Sequence, residues 1–487
     1  MGKEWSKYQL AIFDAYENTR KNIVVEATAG AGKSSTLLEL NKRTSPGKRV
    51  LFMAFNKSIA EELKTKVPEQ VEVATFHSKG LKTLLQNVRV RFKISENKCF
   101  QIGRKILDLD DIEGGSKKQA KYLFELQVIW NFLRQMLSID YRNDIPPICW
   151  EKDIEFRERM IEDITLIEAE WRKQLKKISM VSEFVMDFTD MLWIPYMMIP
   201  SENFPKYGVV FTDEAQDSNI LQREMILNYI KPGGRFISVG DPYQNIYSFM
   251  GSTVEIFESY KRMENTITLP LSISYRCDKA IVAEAKKTFA DKIEASPFAQ
   301  EGVVRNGELK EAQEGDFVLC RNNIPLVAAF IIFLELKKKA TIKGKDFGEN
   351  LLLILDKINE IKDLDVLLLE KKKSLMEKGI PEAVTINHPS YALLEEKCMI
   401  LRLLFKRWPS IFELRNRISE IFVDETEGIV LSTIHKSKGL EADRVFFLNQ
   451  NLIPSPKATS EKALYSEKCL RFVAVTRARH ELVYCTI

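Results

Sequence analysis

Histidine and paired cysteine are what this sequence has least of. Its 487 residues include four histidines and seven cysteines, and the cysteines, at 99, 149, 277, 320, 398, 469 and 485, never fall in a C-x-x-C spacing. That pattern excludes a zinc or iron–sulfur framework and a secreted disulfide scaffold. No apolar run reaches the roughly 20 residues that a membrane-spanning helix needs. Nor does the N-terminus carry the apolar core of a signal peptide. The expectation is a cytoplasmic protein with no membrane partner. Charge of one sign is not in excess either: 72 Lys and Arg stand against 68 Asp and Glu, a net +4. Such a balance permits nucleic-acid binding without demanding it, because a local groove and not the total sets the field. With 45% apolar and 29% charged residues the composition is that of a folded chain. Its length exceeds what one hydrophobic core serves, so several domains are expected.

What is present is organised around Ala27-Thr28-Ala29-Gly30-Ala31-Gly32-Lys33-Ser34-Ser35-Thr36. The apolar run Asn22 to Glu26 before it reads as a buried strand, and Thr36 to Leu40 after it as a helix. A loop in this setting wraps a triphosphate. Gly30 and Gly32 let the backbone turn its N–H groups inward, and the helix presents its positive end to the phosphates. Lys33 belongs on the β- and γ-phosphates and the Ser34 hydroxyl on a magnesium ion, with Thr28, Ala29, Ala31 and Ser35 completing the cradle. Ala27 stands where the general pattern has its first glycine, but the two glycines nearest the phosphates are kept.

Taken in order, the chain first opens a helix at Trp5-Ser6-Lys7-Tyr8-Gln9. The Gln9 amide offers a donor and an acceptor that match the edge of adenine; taken by itself it reads as a plain surface residue in preference to a ligand. Strands are expected at Val50 to Phe55 and Val71 to Ala74, ending in Asn56-Lys57-Ser58 and Thr75-Phe76-His77-Ser78. Phe55 and Phe76 read as core aromatics, yet each sits at the carboxyl end of its strand, the edge where ligands bind in parallel sheets. Residues 88–186 read as long charged amphipathic helices without strands. A strand at Gly208 to Thr212 then runs into Asp213-Glu214-Ala215-Gln216-Asp217. Adjacent carboxylates there serve two purposes: Asp213 to hold magnesium through water, Glu214 to polarise the attacking water. A further strand at Phe236 to Val239 ends in Gly240-Asp241-Pro242-Tyr243-Gln244, where the neutral Gln244 amide can sense the γ-phosphate.

These stretches, with TFH (75–77), DFTDM (187–191), GDPYQNIYSFMGS (240–252), SYR (274–276), LSTIHKSKGLE (431–441) and VAVTRAR (473–479), resemble the superfamily 1 DNA helicases of the UvrD/Rep/PcrA type, in the family's order and over nearly the whole chain. The resemblance implies an α/β fold: two RecA-like P-loop NTPase cores with parallel sheets, each carrying a helical insertion. It divides the chain into 1–87 and 187–268 (first core), 88–186 (its insertion), 269–348 and 421–487 (second core) and 349–420 (a reduced second insertion). In the second half, strands are expected at Phe317-Val318, Val430 to Thr433, Val445 to Leu448 and Leu482 to Cys485, with a helix from Arg471 to Arg479 bearing Arg477. The resemblance further implies ATP and Mg2+ as cofactors, held between the cores, with Arg276 and Arg477 on the γ-phosphate, Tyr275 stacked on adenine and Glu441 at the ribose. On the DNA side it implies Phe55, Tyr247 and Phe249 as stacking faces, with Asn56, Thr75, His77 and His435 also at the strand.

The activity so implied is 3′ to 5′ movement on single-stranded DNA, or at its junctions with duplex, driven by ATP hydrolysis. An alternative of another class is an ATP-gated DNA-sensing subunit that regulates a separate nuclease or repair protein. Three departures bear on this, one being Ser35 where many members carry arginine after the phosphate loop. Phe249-Met250 stands where the family usually has tryptophan and arginine, and the second insertion is short. Within that insertion Lys371-Lys372-Lys373 reads as a solvated helix face in preference to a DNA patch.

Overall fold

The computed structural model describes residues 4–487 apart from 56, 110–114, 153, 155, 247–253, 290–291, 378–381, 386–388, 426, 457 and 459. The chain divides into two compact units, residues 1–28 with 32–272 and residues 29–31 with 273–487.

The first unit holds strands β1 (Asn22–Ala27), β2 (Val50–Ala54), β3 (Glu72–Thr75), β4 (Arg91–Ile94), β5 (Glu183–Met186), β6 (Tyr207–Thr212), β7 (Ile230–Gly240) and β8 (Thr266–Leu271). Six of them form one parallel sheet in the order β3-β2-β6-β7-β1-β8. Its central strands read as continuous apolar runs because helices cover both faces; all six residues of β6 and all five of β2 are buried. A parallel sheet places every strand's carboxyl end on one edge, so Thr28, Phe55, Phe76, Asp213 and Asp241 all follow strands onto the same side.

The insertion between residues 88 and 186 is built on helices Lys98–Ile106, Gly115–Gln135, Tyr141–Glu151 and Arg159–Leu175. It is not free of strands, as the sequence had suggested. β4 and β5 pair in parallel, Arg91 with Glu183 through Ile94 with Met186. Each is four residues long and its partner lies some ninety residues away, so no local alternation or turn announces the pair.

The second unit holds β9 (Ile273–Ser274), β10 (Glu294–Ala295), β11 (Val303–Asn306), β12 (Phe317–Cys320), β13 (Ala340–Lys343), β14 (Phe422–Val423), β15 (Ile429–Thr433), β16 (Ala442–Leu448) and β17 (Ala478–Cys485). Seven of these make a second parallel sheet, β11-β17-β16-β12-β15-β13-β14. Between β13 and β14 the described residues are helical: Lys345–Leu355, Asp363–Glu377, Glu382–Thr385, Pro389–Arg407 and Ile411–Ile421. Lys372 there is tied to Glu382 at 2.8 Å, and Lys373 is exposed. Both cores are thus RecA-like, and each carries a helical insertion. Among the described residues no helix is long and apolar enough to cross a membrane.

Candidate nucleotide and DNA site

The phosphate loop takes the form its glycines permit. Gly30 and Gly32 have φ of 70° and 80°, a region that side chains with a Cβ adopt only under strain. Gly32 is the N-cap of helix Lys33–Lys42, three residues earlier than the sequence suggests, and no side chain caps it. The first-turn N–H groups therefore remain open to an anion.

Around this helix end the first unit gathers one connected set of polar side chains. Lys33 Nζ lies 2.9 Å from both carboxylate oxygens of Glu214. Ser34 Oγ donates to Asp213 Oδ2 at 3.1 Å. Gln216 Nε2 donates to Glu214 Oε2 at 2.6 Å, its Oε1 accepts from the Asp241 backbone N–H at 2.8 Å, and Gln244 Nε2 donates to Asp241 Oδ2 at 2.6 Å. The strand order explains the convergence: β6 and β7 are neighbours, and β1 lies next to β7. Gln216 belongs to a stretch that was legible, but its bridging of the two acidic loops was not, since nothing local says which way an amide after a strand will face.

Glu214 itself adopts a left-handed backbone, φ 52° and ψ 41°. For a residue with a long side chain this costs about 1–2 kcal/mol. The surrounding bonds hold it there: its own N–H donates to Asp213 Oδ1 at 2.9 Å, and its carboxylate is shared by Lys33 and Gln216. Strain of this kind persists where the surrounding structure over-determines a side chain's direction.

The charges are mutually dependent. Burial, and after it the negative charge of Glu214, pushes the Asp213 carboxyl up to about 6 against the pull of Lys33. Burial likewise lifts Asp241 to about 6. Burial alone would lower Lys33, but Glu214, Asp213 and Asp241 outweigh it and hold the ammonium above its ordinary value. Among the described residues there is no group of three or more His, Cys, Asp or Glu placed to hold a metal. Magnesium at a phosphate loop takes one or two protein oxygens and fills its octahedron with phosphate and water. The Ser34–Asp213 pair fits that requirement. A proton on Asp213 competes with the metal. Magnesium-dependent ATP binding is therefore expected to weaken as pH falls through about 6, approaching about tenfold per pH unit below it, and to be flat above pH 7. Titrating ATP with Mg2+ at pH 5, 6, 7 and 8 checks this.

Gln9 is not a surface residue. It is 3% exposed, accepts from the Ser6 N–H at 3.1 Å to close the capping box of helix Lys7–Asn18, and donates to Thr36 Oγ1 at 3.1 Å. The amide is thereby fixed against the helix that starts at the phosphate loop.

In the second unit Arg276 is ion-paired with Glu441, which also accepts from Arg479 Nη2 at 2.8 Å. Burial would raise the Glu441 carboxyl, but these two guanidiniums outweigh it and hold it below its usual range. Arg477 does not ride on a helix: helix Glu461–Val475 ends first, and Arg477 sits in the following turn before β17. Its guanidinium, 1% exposed, turns back to donate to Val473 O at 3.1 Å and Leu440 O at 2.9 Å. The last strand accordingly begins at Ala478, four residues before the sequence suggests. Tyr275, beside Arg276, is 46% exposed, a free aromatic face.

Of the two strand-end aromatics read as core, Phe76 is buried and Phe55, which the resemblance places at DNA, is exposed, so the core reading holds for Phe76 and fails for Phe55. Thr75 spends its hydroxyl on capping helix Phe76–Asn87, accepting from the Ser78 N–H at 3.3 Å. His77 packs edge-on to Phe188, and burial lowers its pKa. Burial, with Arg321 adding to it, lowers His435 to about 4. Both imidazoles are neutral at pH 7 and can meet DNA as hydrogen-bonding groups, not as cations. Asn56, Tyr247 and Phe249 lie outside the described residues.

Comparison with known proteins gives the family. The UvrD/REP helicase N-terminal domain matches residues 9–264 and the UvrD-like helicase C-terminal domain matches residues 172–487. The chain is 24% identical over 527 residues to F-box DNA helicase protein 1 of Schizosaccharomyces pombe, covering 98% of this chain and 56% of that protein. It is 24% identical over 497 residues to F-box DNA helicase 1 of Gallus gallus (94% and 46%). It is also 24% identical over 288 residues to the ATP-dependent DNA helicase Rep of Buchnera aphidicola subsp. Baizongia pistaciae (54% and 40%). The chain spans about half the length of these relatives. With each of the two domain signatures covering more than half of its residues, the protein belongs to the UvrD/Rep helicase family.

Proposed function

We propose that this chain couples ATP hydrolysis to 3′ to 5′ movement along single-stranded DNA, as an ATP-dependent DNA helicase or translocase. The observation that carries the reading is the hydrogen-bonded set Lys33–Glu214–Gln216–Asp241–Gln244 at the carboxyl edge of the first sheet, with Ser34 on Asp213 beside it. Glu214 is the base, aimed by Lys33 and Gln216. Gln244 reports the γ-phosphate to the Asp241 loop. Magnesium held at Ser34 and Asp213 would neutralise charge on the β- and γ-phosphate oxygens. Gln9 and Tyr275 are assigned to the base, Glu441 to the ribose, and Arg276 and Arg477 to the γ-phosphate. Before it can serve there, Arg276 must exchange the Glu441 carboxylate for phosphate. Phe55, Thr75, His77 and His435 are assigned to the DNA strand, together with Asn56, Tyr247 and Phe249. Neutral histidines and aromatic faces grip any base alike, at about 1–3 kcal/mol per stacked base.

Direction is tested by displacement of streptavidin from biotin at either end of an oligonucleotide. Movement 3′ to 5′ predicts ATP-dependent clearance from the 5′ end at a rate at least tenfold above that from the 3′ end. The opposite bias, or none, would reject the polarity. Because the second insertion is small, strand separation measured on the same protein decides between helicase and translocase.

A further inference from the structure

The opposite edge of the first sheet has no task in the reading above, and its charge is unlike that of the rest of the chain. Four neighbouring strands, β2, β6, β7 and β1, are entered there from basic residues: Lys48 and Arg49 before β2, Lys206 before β6, Lys231 and Arg235 within the first half of β7, and Arg20 before β1. Cations elsewhere in this chain are commonly paired, as Lys279 is with Glu301 and Arg402 with Asp365. These six, of which Arg20, Arg49 and Lys231 are exposed and Arg235 is buried, are not: among the described residues none has a carboxylate oxygen within 4.0 Å. Arg235 donates instead to the carbonyls of Thr19 and Tyr16, at 2.7 and 2.5 Å, and Lys206 to Asn228 O at 2.8 Å. The cations are close enough to disfavour one another. Lys231 and Lys48 both flank Gly208, and burial, then Arg235, Arg20 and Lys231, lowers the pKa of Lys48.

The same edge is concave. A cleft of about 710 Å3 opens between the starts of β1 and β7, with Leu227, Ile230, Phe236 and Met263 in its walls and Lys206 and Lys231 lining it, together with one carboxylate, Glu202. We propose that this amino-terminal edge is a docking surface for an acidic protein segment that carries a bulky apolar side chain. Cations without a direct carboxylate partner around an aliphatic cleft, with Glu202 the one acidic group acting on Lys206, complement both parts of such a segment, and binding would relieve repulsion that the free protein bears. A nucleic-acid track fits less well. The one aromatic residue in the walls, Phe236, is fully buried, so no ring is presented for base stacking. β1 is six residues long, which sets this edge roughly 20 Å from the phosphate loop. Occupancy here and at the nucleotide are therefore separable.

The probe is a fluorescein-labelled peptide, Asp-Glu-Asp-Leu-Phe-Glu-Asp-Glu, titrated with the full chain and read by anisotropy. Lys231→Glu, an exposed position, should weaken binding about threefold, and Lys206→Glu with Lys231→Glu at least tenfold. Replacing the Leu-Phe pair by Ser-Ser should cost at least fivefold, while ATP hydrolysis stays at the parent level in both variants. Absence of peptide binding, or equal affinity for parent and double variant, overturns the proposal. So does a dT20 probe that loses affinity for the double variant in the same proportion as the peptide, which would make the edge a nucleic-acid track. Failure of DNA to stimulate hydrolysis would count against the motor reading and leave this one standing.

Discussion

Glu214→Gln is expected to lower DNA-stimulated ATP hydrolysis by about 10²–10⁴-fold, the usual range for loss of a general base, while ATP affinity changes little. The substitution exchanges one oxygen for an NH2 group at constant shape. Gln216 can still pair with the remaining carbonyl oxygen, and the left-handed backbone at φ 52° is strained equally by either residue. Folding stability should therefore move far less than activity, so the lost rate reports chemistry. Removing the Glu214 charge also removes one of the forces that raise Asp213, so the Asp213 carboxyl should ionise more readily in the variant. Single-turnover hydrolysis with saturating single-stranded DNA, beside nucleotide binding measured by a fluorescent ATP analogue, separates these effects. Retention of more than a tenth of the parent rate would remove Glu214 from the role of base.

That residue also marks where reading the sequence stops. The order strand, loop, helix made Lys33 and Ser34 legible, because phosphate chemistry dictates glycines and a helix start at fixed offsets. Asp213 and Gln244 were legible for a related reason: each follows, at once or within a few residues, an apolar run that reads as a buried parallel strand, and such strands end on one edge; the part of Asp241 between them was not. The left-handed turn at Glu214 was not, since it arises from the joint demands of Lys33, Gln216 and Asp213, residues brought together across 181 positions of chain. Gln9 was misjudged in its burial because a glutamine near a helix start reads as polar surface; only the packing of that helix beside Lys33–Lys42 encloses it. The turn at Arg477 was read as helix because VAVTRAR continues a helical pattern of apolar spacing. The chain leaves it at Thr476, whose hydroxyl bonds back to the Phe472 carbonyl at 2.8 Å.

The second large effect is expected far from the nucleotide, at Asp190. In the insertion, Lys98 and Arg134 are each 3% exposed and face Asp187, 3% exposed, and Asp190, wholly buried. Asp190 accepts from Lys98, from Arg134 Nη1 at 2.5 Å and from the Asp187 N–H at 3.0 Å. Asp187 accepts from Arg134 Nη2 at 2.6 Å and lies 3.3 Å from Lys98. The ammonium of Lys98 is also held over the Trp171 ring, 3.6 Å from its centroid. Two basic and two acidic side chains thus pair in a site shut off from water, and the two carboxyls belong to the segment by which the chain leaves the insertion. Burial there pushes the Asp190 carboxyl up and the Lys98 ammonium down against their mutual attraction. Asp190→Leu leaves the cations with one carboxylate, and breaking a buried set in this way costs about 3–5 kcal/mol. At a urea dependence of about 2 kcal/mol per M, the midpoint should fall by roughly 2 M. Trp130 and Trp171 lie against the cluster and supply the fluorescence signal. The diagnostic result is the double variant. Lys98→Met together with Asp190→Leu restores neutrality with side chains of similar bulk, and should recover at least half of the loss. If the two substitutions add, the cost of Asp190→Leu is one of packing, and the charge balance is not what fastens the insertion to the first core.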